Sequence, residues 1–111
     1  MPKRNPLRDF DTINPLLDLY GTLLTKHQQA IMSDYYRFNL SLKEIADQRD
    51  ISRAAVSDAI TQAKRHFKVL EASLHVYAIR QSLETMLTQE LDAESIKEKI
   101  KLILNRQRRK R

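Results

Sequence analysis

This sequence predicts an all-helical chain, and three observations carry the prediction. Helix breakers are scarce: 111 residues hold one Gly and three Pro, and two of those Pro fall within the first six positions. Paired capping signals, Ser or Thr followed three residues later by Glu or Gln, stand at Thr25 with Gln28 and at Ser41 with Glu44. Apolar side chains recur at helical spacing through most of the chain, including a seam that begins at Val56.

Residues 1–14 mix Pro, Arg and Asp and read as a flexible N-terminus. Asn14 before Pro15 reads as an N-cap with Pro at the first helical position, opening a short helix to about Thr22. Leu16, Leu17, Leu19, Tyr20 and Leu23 cover much of its circumference, which predicts deep burial. Thr25 and Gln28 open a second helix that runs to about Phe38, with Ile31, Tyr35 and Phe38 on one face and Met32 as a packing residue. Asn39 and Leu40 form a corner. Ser41 and Glu44 then open a third helix over Leu42–Arg49. Asp50 and Ile51 make the next turn, Asp being one of the few residues besides Gly that tolerate a left-handed backbone. Ser52 opens the fourth helix at Arg53. Ile45, Ala46, Ile51, Val56 and Ile60 have the spacing of the inward contacts of a helix-turn-helix, with Ala46 small enough for a close crossing and Ile51 filling the corner.

The fourth helix carries more than a helix-turn-helix needs. Val56, Ile60, Ala63, Phe67, Leu70, Leu74 and Tyr77 follow alternating steps of four and three, a heptad seam. One helix from Arg53 to Tyr77 would extend about 37 Å, longer than a three-helix core of this size can cover. The seam therefore points to a homodimer interface at Phe67, Leu70, Leu74 and Tyr77, the alternative being an internal core with the last helix folded back over it. The stripe then shifts to Ile79, Leu83, Met86 and Leu87, which carries the helix to about Glu90. Asp92 reads as the cap of a last helix, with Glu94 in its first turn and Ile96, Ile100, Ile103 and Leu104 along it. The organisation expected is a helix-turn-helix domain over 15–67, a C-terminal helical dimerisation extension over 68–105 and a basic tail over 106–111.

The formal net charge is +6, and its distribution matters more than its size. Residues 106–111 alone supply five positive charges, residues 24–66 balance at +2 and residues 67–105 at −1. Basicity thus supports polyanion binding by the tail more than by the folded body. No apolar run approaches the roughly 20 residues that cross a bilayer, so no membrane insertion is expected. The first ten residues lack the apolar stretch of a secretory signal, so a cytoplasmic location is expected. With no Cys there are no disulfides or thiolate metal sites. His27, His66 and His75 are not spaced as neighbouring ligands, and neither a Gly-rich phosphate loop nor a nucleophile elbow is present. No catalytic residue, metal or cofactor is expected.

The candidate site is the outward side of the fourth helix. With Val56, Ile60, Ala63 and Phe67 inward, steps of 100° per residue place Ala54, Asp58, Thr61 and Arg65 opposite, with Arg53, Ser57 and Lys64 on one flank. Arg53 suits a guanine edge or a phosphate, and Ser52 offers phosphate a hydroxyl at a helix start. Asp58 repels phosphate, although a carboxylate accepts from cytosine N4. Arg106, Arg108, Arg109, Lys110 and Arg111 would add sequence-indifferent, salt-dependent affinity. The competing account of both features is a solvated helix face and a solubilising end.

The segment from Leu24 to Phe67 resembles region 4 of the bacterial sigma factors. The likeness lies in Leu24-Thr25, in Glu44-Ile45-Ala46 on the supporting helix and in Ile51-Ser52-Arg53 entering the next. A closer resemblance is to the YlxM family of small bacterial proteins with a sigma-like helix-turn-helix. Its pattern is found in Leu19-Tyr20, Leu23-Leu24-Thr25, Tyr35-Tyr36, Ser41-Leu42, Glu44-Ile45-Ala46, Ser52-Arg53, Ala55-Val56, Asp58 and Ile60, and continues in Leu70-Glu71, Leu74-His75 and Tyr77. The resemblance spans roughly residues 16 to 80. It implies a sigma-region-4-like all-helical fold, C-terminal helices that dimerise, a regulatory role and a connection with the signal recognition particle pathway. Two departures stand out: Arg49-Asp50 replace an apolar residue followed by Gly, and Ala54 and Ser57 replace larger groups on the reading surface. Two functions are therefore in play. One is a homodimeric regulator acting through DNA. The other is an adaptor that keeps the fold without binding DNA and docks on RNA or protein of the signal recognition particle machinery.

Overall fold

In the computed structural model, residues 9–109 are described, and among them lie six α-helices and no strand. They divide into two compact units, one ending at Leu70 and the other beginning at Glu71.

Helix α1 (Phe10–Tyr20) begins before the expected Asn14-Pro15 start, so Pro15 lies inside it. Asn14 is not its cap, because it serves the end of another helix: its Nδ2 donates to the Tyr36 carbonyl at 3.2 Å. A short 3-10 turn (Gly21–Leu23) leads to α2 (Lys26–Tyr36). Thr25 and Gln28 form the expected reciprocal capping box, each side chain accepting from the other residue's backbone N–H. Ile31, Met32 and Tyr36 are its buried apolar residues, whereas Phe38, expected on the inward face, is 68% exposed because α2 ends before it. Asn39 takes a left-handed backbone there, with φ 60°, and turns the chain toward α3.

Helix α3 (Leu42–Arg49) has the expected bounds, opened by the Ser41 and Glu44 capping box. Asp50 closes it in the left-handed conformation, φ 56°, and the Ile51 N–H returns to the Ala46 carbonyl. The Arg49 Nε donates to the nearly buried Asp34 carboxylate at 2.7 Å, tying the end of α3 to α2. That bond raises the Arg49 pKa further above its ordinary value. The Arg49-Asp50 pair thus supplies an ion pair and a tolerated left-handed turn where an apolar residue and Gly would be usual.

Helix α4 (Arg53–Leu74) buries Val56, Ala59, Ile60, Ala63 and Phe67. With Ile13, Leu17, Tyr20, Ile31, Met32 and Ile45 they form one core. Tyr20 and Phe67 meet with ring centroids 6.4 Å apart. Full burial of a large apolar side chain contributes about 1.5–3 kcal/mol.

The expected continuous helix to Tyr77 does not form. His75 adopts φ 56° and ends α4, and α5 (Val76–Leu87) starts immediately after it. Neither Gly nor Pro causes the break. The Glu71 carboxylate sustains it, accepting from the Tyr77 and Ala78 backbone N–H groups at 3.0 Å each. α5 stops at Leu87, short of Glu90. Helix α6 (Ala93–Arg109) opens where expected, with Asp92 accepting from the Ser95 N–H at 2.8 Å. None of residues 68–106 is buried, and Leu83, Leu87, Ile100 and Leu104 stand exposed.

Candidate nucleic-acid interface

The site is built from the α3–α4 corner outward. Asp50 reverses the chain, Ile51 packs against the core, and Ser52 starts α4 by accepting the Ala55 N–H on its Oγ at 3.0 Å. The Ser52 hydroxyl is therefore already a cap, although its hydrogen remains available as a donor. Because Val56, Ile60, Ala63 and Phe67 face the core, the opposite side is turned to solvent: Arg53, Ala54, Ser57, Asp58, Thr61 and Arg65 are all exposed.

The cations of this face are not equivalent. Arg53 and Arg65 have no ion-pair partner within 4 Å among the described residues. Lys64 is committed to the fold: its Nζ lies 2.8 Å from the Asp9 carboxylate, which also accepts from the Tyr36 hydroxyl at 2.6 Å. Burial alone would raise the Asp9 pKa, but the bonds from Lys64 and Tyr36 outweigh it and hold the group below its ordinary value. Asp58 accepts from the Gln62 amide at 3.0 Å. On α3, Lys43 bonds to Asp47 at 2.8 Å and lowers its pKa, with a smaller contribution from the charge of Arg53.

Asp9 and Gln62 join this surface without being expected there from the sequence. Gln62 has a local signal, being the i+4 neighbour of Asp58. Asp9 has none, because no local spacing links it to Lys64.

The residues expected at a dimer seam separate. Phe67 has no exposed surface and lies in the core beside Tyr20, so its packing is satisfied within its own chain. Leu70 is partly buried against the same core. Leu74 is exposed at the end of α4, and Tyr77 is half-buried on α5. In the second unit a cleft of about 300 Å³ has Ser82, Met86, Lys99, Ile103 and Arg106 among its lining, with no carboxylate. Arg106 is exposed on α6, which continues as helix through Arg109. Lys110 and Arg111 lie outside the described residues, as do the side chains of Arg108 and Arg109.

No group of His, Asp and Glu suited to a metal ion occurs among the described residues. None of their helices is long and apolar enough to cross a membrane.

Comparison of the sequence with known proteins finds relatives. Residues 8–106 match a family described as "Putative helix-turn-helix protein, YlxM / p13 like", UPF0122. A UPF0122 protein of Shouchella clausii is 35% identical over 97 residues, 85% of this chain and 89% of the relative. One from Bacillus mycoides is 38% identical over 96 residues, covering 83% and 87%. One from Desulforamulus reducens is 41% identical over 68 residues, covering 61% of this chain. The match spans only 58% of that last relative's length, and 62% in a relative from Malacoplasma penetrans.

Proposed function

This chain belongs to the YlxM/p13-like helix-turn-helix family UPF0122, and from that membership we propose that it is a DNA-binding regulatory protein of sigma-region-4 type. It works in the cytoplasm as a homodimer held by its C-terminal helices. The observation that carries the proposal is the outward side of α4, where Arg53, Ala54, Ser57, Asp58, Thr61 and Arg65 are exposed on a helix whose other side is locked into the core. A helix carried in this way is what enters a major groove, its first turns leading. Arg53 stands at that leading end with its guanidinium in no ion pair among the described residues. Pairing of two chains is supported by the exposed apolar side chains of α5 and α6 and by the lack of any buried residue over 68–106.

Fluorescence anisotropy with a random-sequence duplex, over a salt series, tests the reading. Arg53→Ala should weaken binding by roughly 5–100-fold, the range for removing one bidentate or phosphate interaction. Equal affinity of the two proteins at every salt concentration would remove α4 from the interface.

A second reading is favoured by the charge distribution. The outward side of α4 spreads three cations outside ion pairs among the described residues, Arg53, Arg65 and Lys68, over about four turns and carries Asp58 between them, whereas cations gather toward the end of α6. An adaptor docking on RNA or protein of the signal recognition particle machinery fits that imbalance. Tighter binding of signal recognition particle RNA than of duplex DNA in the same salt series would favour it.

A further inference from the structure

We infer that Asp58 is the base-selecting residue of α4, its carboxylate accepting a hydrogen bond from the N4 amino group of a cytosine in the major groove. The inference rests on the DNA-reading function proposed above and states what that surface reads. Asp58 lies in the second turn of α4, on the exposed line formed with Ala54, Thr61 and Arg65. It is held there: the Gln62 amide donates to Oδ2 at 3.0 Å, which leaves Oδ1 to accept from a ligand. No cation neutralises it. The positions three and four residues away on either side are Ala54, Ala55, Thr61 and Gln62, and no ion pair to Asp58 occurs among the described residues.

An ionised carboxylate only accepts hydrogen bonds, so in the major groove it can be satisfied by cytosine N4 or adenine N6. Adenine N6 is flanked by two acceptors, its own N7 and the thymine O4, and both repel a carboxylate. Cytosine N4 has an acceptor on one side only, the guanine O6. Cytosine is therefore the better partner. Against any other base, and against phosphate, the unneutralised charge works as a penalty. The same side chain thus draws α4 to matching sites and holds it off the rest. Arg53 and Arg65 bracket Asp58 along the helix and supply the general attraction on which that discrimination is superimposed.

The test uses the full chain, Asp58→Ala and Asp58→Asn, each incubated with a duplex library randomised at its centre, followed by sequencing of the retained DNA. In the wild-type pool cytosine should outnumber each other base by about tenfold at one position of the recognised site. Asp58→Ala should lose that enrichment while binding the unselected library several-fold more tightly. Asp58→Asn should shift the preference toward adenine, whose N6 and N7 match a carboxamide. The position is solvent-exposed, and unchanged helical circular dichroism confirms that the variants fold. Identical enriched sequences from wild type and Asp58→Ala overturn the inference. DNA retained by the wild type with no base preference also overturns it, while leaving DNA binding in place. Failure of the wild type to retain any duplex removes the DNA-binding proposal itself.

Discussion

Asp9 joins α1, α2 and α4 through one carboxylate, since Tyr36 and Lys64 both donate to it. Its pKa in the folded chain lies below the ordinary 3.8 despite its partial burial. The folded state consequently binds fewer protons than the unfolded state near that pH. The stabilisation is complete above the unfolded value and is lost as pH falls through the folded one. Thermal melts from pH 7 down to pH 2 should show stability falling below about pH 4, and Asp9→Asn should fall less steeply over that window. A parallel fall in both proteins would mean that other carboxylates dominate the acid response. Residues also mark the limit of what the sequence discloses. Asp50 is legible because a tight turn without Gly needs a residue that tolerates positive φ. The ion pairs of Asp9 with Lys64 and of Asp34 with Arg49 are not, because partners on different helices meet only through tertiary packing. For the same reason Lys64 looks in sequence like a reading-surface cation when its charge is engaged within the fold.

Among the elements, the starts of α2 and α3 are legible to the residue, because a capping box is a local device whose two members sit three positions apart, whereas the end of α2 falls short of the expected Phe38. The start of α1 is not, since Asn14 and Pro15 look like a helix opening whereas Asn14 serves the end of α2. The break at His75 is hidden for a different reason. The apolar rhythm continues across it, and the group that stabilises the new helix start, Glu71, precedes the break by a full turn. Removing that group should expose its role. Glu71→Ala leaves the Tyr77 and Ala78 amides without their acceptor, at a cost of about 1–2 kcal/mol to the second unit. Hydrogen exchange should then accelerate at those two amides and leave the Ile45 and Ile60 amides unaffected. Equal protection with and without the carboxylate would show that the joint is held by other interactions.

For the molecule as a whole, the two units differ in kind. The first has one continuous core that draws on α1, α2, α3 and α4, and the second has no buried residue over its described side chains. The homodimer proposed above should sediment as two chains at micromolar concentration; a single-chain species alone would remove the pairing. Charge is equally uneven, with five of the six net positive charges at residues 106–111. Deleting those residues should flatten the dependence of log affinity on log salt by up to about 4.5, near 0.9 for each phosphate no longer neutralised. An unaltered slope would mean that this cluster takes no part in binding. A half without an interior also has a consequence for the cell. On the proposed pairing, the second unit is completed only when another copy supplies the missing apolar cover, so its ordering follows mass action. Dilution would loosen it and accumulation would set it, which makes the amount of protein synthesised a control on its own conformation.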